Sequence, residues 1–252
     1  MFIRSLIIAF SMYSKFPMPK CKWEDKSMKY VFCFFPFIGA VLGGISVVIY
    51  TLLSKYDIGI GLIAAIMTAL PIVITGGIHM DGFLDTVDAI SSYKSREEKL
   101  EILKDPHAGA FAILFGALYL VVTYGAWTEV KISNISIIAQ GYILSRCFSA
   151  ISVICFPSAK KAGTVADFKK KSSAKAVSIL LIVMTLTVSI LMAIIGGLLG
   201  VISVLSALLV FVYYYFMSKK EFGGITGDLA GWFLQITELV ILLVVAIFGR
   251  VN

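Results

Sequence analysis

Charge is scarce in this chain of 252 residues. Asp, Glu, Lys and Arg together make up 15% of it, against about a quarter in soluble proteins, and hydrophobic residues reach 59%. That excludes an ordinary water-soluble domain, which has no interior large enough to hide so much apolar surface. The four cysteines (Cys21, Cys33, Cys147 and Cys155) form no CxxC and no metal-ligand spacing, which argues against a zinc site or a disulfide framework. Only six prolines are present. No Pro-, Gly- or Ser-rich run and no fixed repeat divides the chain, so residues 1–252 read as one integral membrane domain. The uncharged runs are long enough to make a bilayer the main solvent. The expected fold is an all-α, polytopic membrane bundle.

The net charge of +7 does not signal nucleic acid, because the basic residues lie between apolar segments and form no patch interleaved with aromatics. Seven stretches reach spanning length, near 30–53, 58–77, 107–126, 134–156, 176–195, 199–217 and 229–248. Gly196-Gly197 is the only join between the fifth and sixth, which predicts a tight helical hairpin. Residues 1–14 are apolar with no small-residue cleavage site after them, and read as an interfacial or partly inserted helix. Seventeen of the 22 Lys and Arg residues fall in segments 14–29, 78–106, 157–175 and 218–228. With seven spans all four segments share one side, and the positive-inside rule makes that side the cytoplasm. Lys169-Lys170-Lys171 and Lys219-Lys220 read as topology determinants, and Tyr213-Tyr214-Tyr215 as an interfacial aromatic belt.

Against this apolar background the 15 acidic and two histidine residues are informative. Asp81, Asp85 and Asp88, at i, i+4 and i+7, share one helix face. Three stacked carboxylates repel unless a cation lies among them, and such hard oxygen ligands suit Mg²⁺ or Mn²⁺ completed by water and substrate phosphate. Gly76 and Gly77 before them, and Gly82 among them, let the backbone approach a ligand and offer amides to an anion. Downstream, Pro106 fits the first turn of the third span with Asp105 as its N-cap. Lys104 stands beside them as a phosphate ligand. His79 and His107 flank these motifs as bases or phosphate-binding cations. The third element, Gly223-Gly224-Ile225-Thr226-Gly227-Asp228, opens the last span with glycines around a carboxylate. Glu238 lies further along that span, where an ionisable group is a functional candidate. Arg146, the only basic residue inside a span, either pairs with Glu238 or holds phosphate.

These residues, taken in order, resemble the cobalamin synthase family, the adenosylcobinamide-GDP ribazoletransferases. Gly76-Gly77-Ile78-His79-Met80-Asp81-Gly82-Phe83-Leu84-Asp85-Thr86-Val87-Asp88 is similar to the family signature. Phe16-Pro17-Met18-Pro19, Phe35-Pro36-Phe37-Ile38-Gly39, the block from Leu100 to Phe111, and Gly223–Asp228 with Glu238 follow in the family's order. In the 157–168 loop, Lys160, Lys161, Gly163 and Phe168 keep only the outline of a basic glycine loop. The resemblance implies transfer of the adenosylcobinamide-phosphate moiety from adenosylcobinamide-GDP to the 5′-hydroxyl of α-ribazole or α-ribazole 5′-phosphate. GMP is released and adenosylcobalamin or its phosphate forms. It implies Mg²⁺ on Asp81, Asp85, Asp88 and Asp228, with Lys104 and Arg146 as phosphate clamps and His79 or His107 as base. The setting is a prokaryotic plasma membrane with the active site facing the cytoplasm; homo-oligomerisation stays open. CDP-alcohol phosphotransferases also pair Asp motifs with Mg²⁺, but no Ala-Arg follows Asp81-Gly82 here. Prenyltransferases would carry several aspartates in the last loop, which has only Asp228. A cation-coupled transporter would show repeated halves and midplane charges.

Overall fold

The computed structural model describes residues 2–159 and 174–250, and its named elements are helices. They are α1 (Phe2–Tyr13), α2 (Asp25–Met28), α3 (Val31–Lys55), α4 (Ile60–Thr75), α5 (Ile78–Ser91), α6 (Arg96–Ile102), α7 (Ala110–Trp127), α8 (Ile135–Cys155, entered through a 3₁₀ turn), α9 (Ala174–Phe222) and α10 (Gly227–Phe248). The only extended pairing among the described residues is a parallel bridge between Ser158 and Ile225. The loop lysines and glycine expected at 160–171 lie outside the described residues.

Among the described residues, five helices are long and apolar enough to cross a membrane alone: α3, α7, α8 with its 3₁₀ turn, α9 and α10. Helices α4 and α5 pass only together, bent by 96°. The count differs from the seven expected spans for a local reason. A straight helix of 49 residues would reach about 73 Å, yet α9 leaves helical geometry at Gly197 (φ 53°, ψ −135°). A Cβ at Gly200 would strike the backbone carbonyl of Met192, eight residues earlier, so the chain folds back on itself. Its first limb lays Thr185 on Cys147 and Gly196 on Ile137, antiparallel to α8. Its second limb, by contrast, brings Phe211 onto Phe148 and Phe156 further along. This is the hairpin expected at Gly196-Gly197; counted by limb the long helices give six segments, and the bent α4–α5 pair adds one more.

Helices α3 and α8 cross almost backbone to backbone. A Cβ at Gly43 would lie 2.6 Å from the Ala139 carbonyl oxygen, and one at Gly39 would meet the Tyr142 carbonyl. Small residues one turn apart are how apolar helices gain close packing in lipid. Helix α1 has 12 residues, about 18 Å at the α-helical rise and too short to span. It buries Ile8, Ala9 and Phe10. Tyr214 is fully buried, with its ring on Phe233, so only the outer tyrosines of the 213–215 triplet suit a belt.

The connecting segments sort cleanly. At one face, Tyr50 donates to the Val130 carbonyl and Asn134 to the Gly249 carbonyl. The other face carries residues 13–31, α5, α6 and the 218–228 loop. There Lys99 binds Glu221 at 2.5 Å and Arg96 donates to the Lys220 carbonyl. Among the described residues, the Gly76–Asp88, Lys104–His107 and Gly223–Asp228 motifs lie at this second face, and Arg146 and Glu238 lie deeper between α8 and α10.

Candidate active site

The site begins where α4 stops. Gly76 (φ 67°) and Gly77 (φ 78°) occupy left-handed conformations, and their amides close α4 by donating to Val73 and Ile72. Only glycine holds two such residues in succession without strain. The pair therefore turns the chain from α4 into α5 and does not present its own amides to an anion, which corrects the expectation for these two residues. Gly77 also leaves the first turn of α5 without a side-chain cap. Lys15 donates its amide to the Ile74 carbonyl and lies across Gly76, where a Cβ would collide with its stem.

Helix α5 packs on the start of α10 through two glycines. A Cβ at Gly82 would lie 2.7 Å from the Asp228 carbonyl oxygen, and one at Gly231 would lie 3.0 Å from the His79 carbonyl oxygen. Gly82 thus serves close helix approach from mid-helix, not anion binding. Thr226 caps α10 by accepting from Leu229 and lies 3.3 Å from Asp228 Oδ2. Gly224 (φ 158°) lies against the backbone of Pro157 and Ser158, which explains its lack of a side chain. Gly223 (φ 77°) turns the chain out of α9.

This crossing brings the first turns of α5 and α10 to one cavity of about 230 Å³, walled by Asp81, Asp228, Gly227, Ser149 and an apolar side. Asp81 is exposed and Asp228 half-buried. Helix N-termini carry partial positive charge and unpaired N–H groups, so the cavity joins two anion-attracting backbone ends to two cation-attracting carboxylates. Asp85 lies one turn on, within electrostatic reach of Asp81, Asp228 and Asp88 in that order.

Asp88 has a different setting. Its Oδ2 accepts from the Gly109 amide at 2.6 Å and its Oδ1 from Ala112 at 3.2 Å. It therefore caps α7 from another helix. That corrects the expectation that Asp105 caps this helix: α7 starts at Ala110 with Gly109 as N-cap. Asp105 instead accepts from the backbone and ring of His107, bonds that hold its carboxyl below the usual carboxylate range. His107 and Lys104 are exposed, Lys104 on Glu101 at 2.5 Å. His79 is 5% exposed, lines the cavity, and its Nε2 has no hydrogen-bond partner among the described residues.

Arg146 and Glu238 form the ion pair left open by the sequence, at 2.7 Å between α8 and α10. Ser145 donates to the same carboxylate oxygen, and the Arg146 guanidinium also donates to the Tyr142 carbonyl. Both side chains are buried and neither lines the cavity, so the structure offers Arg146 no route to a phosphate there. Tyr13, Phe32 and Phe35, which form the cavity's aromatic side, were not singled out as site residues. Their one signal was the Phe35-Pro36 entry of the first span.

Among the described residues no three His, Cys, Asp or Glu side chains converge as a ready metal cage. Two carboxylates lining one cavity still suit Mg²⁺, which is commonly held by one or two carboxylates with water and substrate phosphate filling the rest.

No solved structure matches the chain. A family profile described as cobalamin-5-phosphate synthase matches residues 5–246. The chain is 44% identical over 245 residues to an adenosylcobinamide-GDP ribazoletransferase of Lachnoclostridium phytofermentans, covering 97% of this chain and 94% of the relative. Similar proteins of the same description occur in Clostridium perfringens (31% identity, 98% of each chain) and Clostridium botulinum (33%, 94% of each). Matches over nearly all of each sequence leave no part of the fold outside the likeness, and the chain belongs to the cobalamin-5-phosphate synthase family.

Proposed function

We propose that this chain is an adenosylcobinamide-GDP ribazoletransferase working by Mg²⁺-dependent in-line phosphoryl transfer. The donor is adenosylcobinamide-GDP, and the acceptor is α-ribazole or α-ribazole 5′-phosphate. Chemical balance corrects the acceptor atom expected from the sequence. Ribazole 5′-phosphate has no free 5′-hydroxyl, yet its product keeps the 5′-phosphate. The nucleophile common to both acceptors is therefore a secondary ribose hydroxyl. Its oxygen bonds to the phosphorus next to cobinamide, the bond from that phosphorus to the bridging oxygen of GMP breaks, and GMP leaves with both electrons. The hydroxyl proton passes to solvent.

The observation that carries this reading is Asp81 and Asp228 on the walls of one cavity, each in the first turn of its helix. Asp81 and Asp228 would hold Mg²⁺, with Asp85 completing the negative field. Held by these residues, Mg²⁺ would supply charge neutralisation for the pyrophosphate and the leaving GMP. First-turn amides of α5 and α10 that are not already capped would serve the phosphate oxygens, and Lys15, whose side chain lies across Gly76, would add a cation beside α5. Such transfer depends mainly on positioning and charge stabilisation, so no strong base is required. Asp88 acts by fixing α7 against α5. The described basic segments at the site face, 14–29, 78–106 and 218–228, support a cytoplasmic active site in a prokaryotic plasma membrane.

Purified protein in nanodiscs, given both substrates with Mg²⁺ or with EDTA, tests the reading by chromatography. The expected result is equal amounts of GMP and cobamide, lost with EDTA. Turnover of CDP-activated lipid in place of these substrates would overturn it.

A further inference from the structure

The cavity lining is of two kinds: Asp81 and Asp228 are acidic, whereas Tyr13, Phe32, Phe35 and His79 contribute rings, with Ser149, Val153 and Leu234 among the remainder. The Tyr13 and Phe35 ring centroids lie 4.7 Å apart, and His79 meets Phe35 edge-on at 5.9 Å. Four rings from α1, α3 and α5 thus form one wall beside a site for phosphate and metal. The wall holds an orphan: His79 Nε2, buried and without a hydrogen-bond partner among the described residues. A buried polar nitrogen left unpaired is costly, and a ligand atom that pairs with it recovers that cost.

We propose that this wall is the subsite for the base of the acceptor nucleoside: a flat, largely apolar heteroaromatic ring stacked on Phe35 and Tyr13, with its one free ring nitrogen paired to His79. The inference rests on the transferase reading above. Size and chemistry both select this part of the substrates. At about 230 Å³ the cavity is smaller than pockets that enclose a whole drug-sized ligand, about 300–1,000 Å³. A corrin macrocycle stays outside. The guanine of the donor carries an amide and an amino group on its edge, which this wall would leave unpaired. The dimethylbenzimidazole of ribazole has one free ring nitrogen and an otherwise apolar edge. Seated there, it directs its ribose to the side that holds Asp81 and Asp228.

Steady-state kinetics on Phe35→Leu and Phe35→Trp in nanodiscs tests the assignment. Phe35→Leu raises the KM for ribazole roughly tenfold, about 1.4 kcal/mol and within the range for loss of a base–aromatic stack. The KM for adenosylcobinamide-GDP stays unchanged, and Phe35→Trp keeps ribazole binding. A rise confined to adenosylcobinamide-GDP would instead put guanine on this wall and overturn the proposal, as would no change in either KM. The wild-type protein gives a second reading should Phe35→Leu fail to fold. Free dimethylbenzimidazole inhibits competitively against ribazole; competition against adenosylcobinamide-GDP, or no inhibition, would overturn the assignment. Should wild-type protein make no cobamide, the transferase reading fails by itself. Calorimetric titration of ribazole into wild type and Phe35→Leu then still decides the subsite: weaker binding by the variant sustains it, and equal binding or none rejects it.

Discussion

Replacing Gly82 with alanine sets two effects against each other at the centre of the site. In a helix interior the change ordinarily stabilises by about 1 kcal/mol, because glycine loses more backbone entropy on folding. Here the added Cβ would lie 2.7 Å from the Asp228 carbonyl oxygen and 2.9 Å from its Cα. Those are backbone atoms that cannot rotate away. Comfortable contacts need about 3.5 Å, so α5 and α10 must part by roughly 0.5–1 Å. Overpacking of this kind costs about 1–3 kcal/mol, which leaves a net loss of about 0–2 kcal/mol and a folded protein. The larger effect falls on chemistry, since the clash separates the helices that carry Asp81 and Asp228. A displacement near 1 Å costs on the order of 100-fold in rate. The control is Gly125→Ala, where an added Cβ meets nothing within 4 Å. Both variants are to be assayed for GMP release in nanodiscs and for thermal melting. Gly82→Ala should melt near wild type and lose about two orders of magnitude in rate, with Gly125→Ala close to wild type in both. Equal activity of the two variants would refute the close α5–α10 crossing as the device that sets the site.

Asp88→Ala should act on α7 rather than on metal. Losing the acceptor for Gly109 and Ala112 costs about 1–2 kcal/mol, a drop of roughly 2–8 °C in melting temperature. Amide exchange should quicken at residues 109–113. Lost activity with exchange unchanged would place Asp88 on the metal instead. Arg146→Met strands Glu238 between α8 and α10, and breaking a buried pair in this way costs about 3–5 kcal/mol. Adding Glu238→Gln should restore much of the melting temperature. A variant that melts like wild type but binds donor poorly would give Arg146 back to phosphate.

Much of this architecture follows from period and composition alone. The long uncharged runs mark the crossing segments because lipid tolerates little else. Gly196-Gly197 marks the hairpin because no other residues could make so short a reversal. The spacing of Asp81, Asp85 and Asp88 places them on one helix face, as found. Other features depend on partners distant in the chain. Asp105-Pro106 is a sound local signal for a helix start, yet α7 takes its cap from Asp88, 21 residues away on α5. Gly82 looks like a ligand-binding glycine until α10 is laid across it. Arg146 and Glu238 are 92 positions apart, and local spacing carries no record of their pairing. The aromatic wall joins His79 of α5 to rings from α1 and α3, two segments that read as ordinary apolar helix.

The central claim is that Asp81 and Asp228, at the starts of two helices, hold one divalent cation with substrate phosphate. Electron paramagnetic resonance of Mn²⁺ with GMP measures this directly on wild type, Asp81→Asn and Asp228→Asn, each in nanodiscs and checked for melting temperature. The account expects tight Mn²⁺ binding in the wild type and its loss in both variants, with folding intact. Undiminished Mn²⁺ binding in either variant would contradict it.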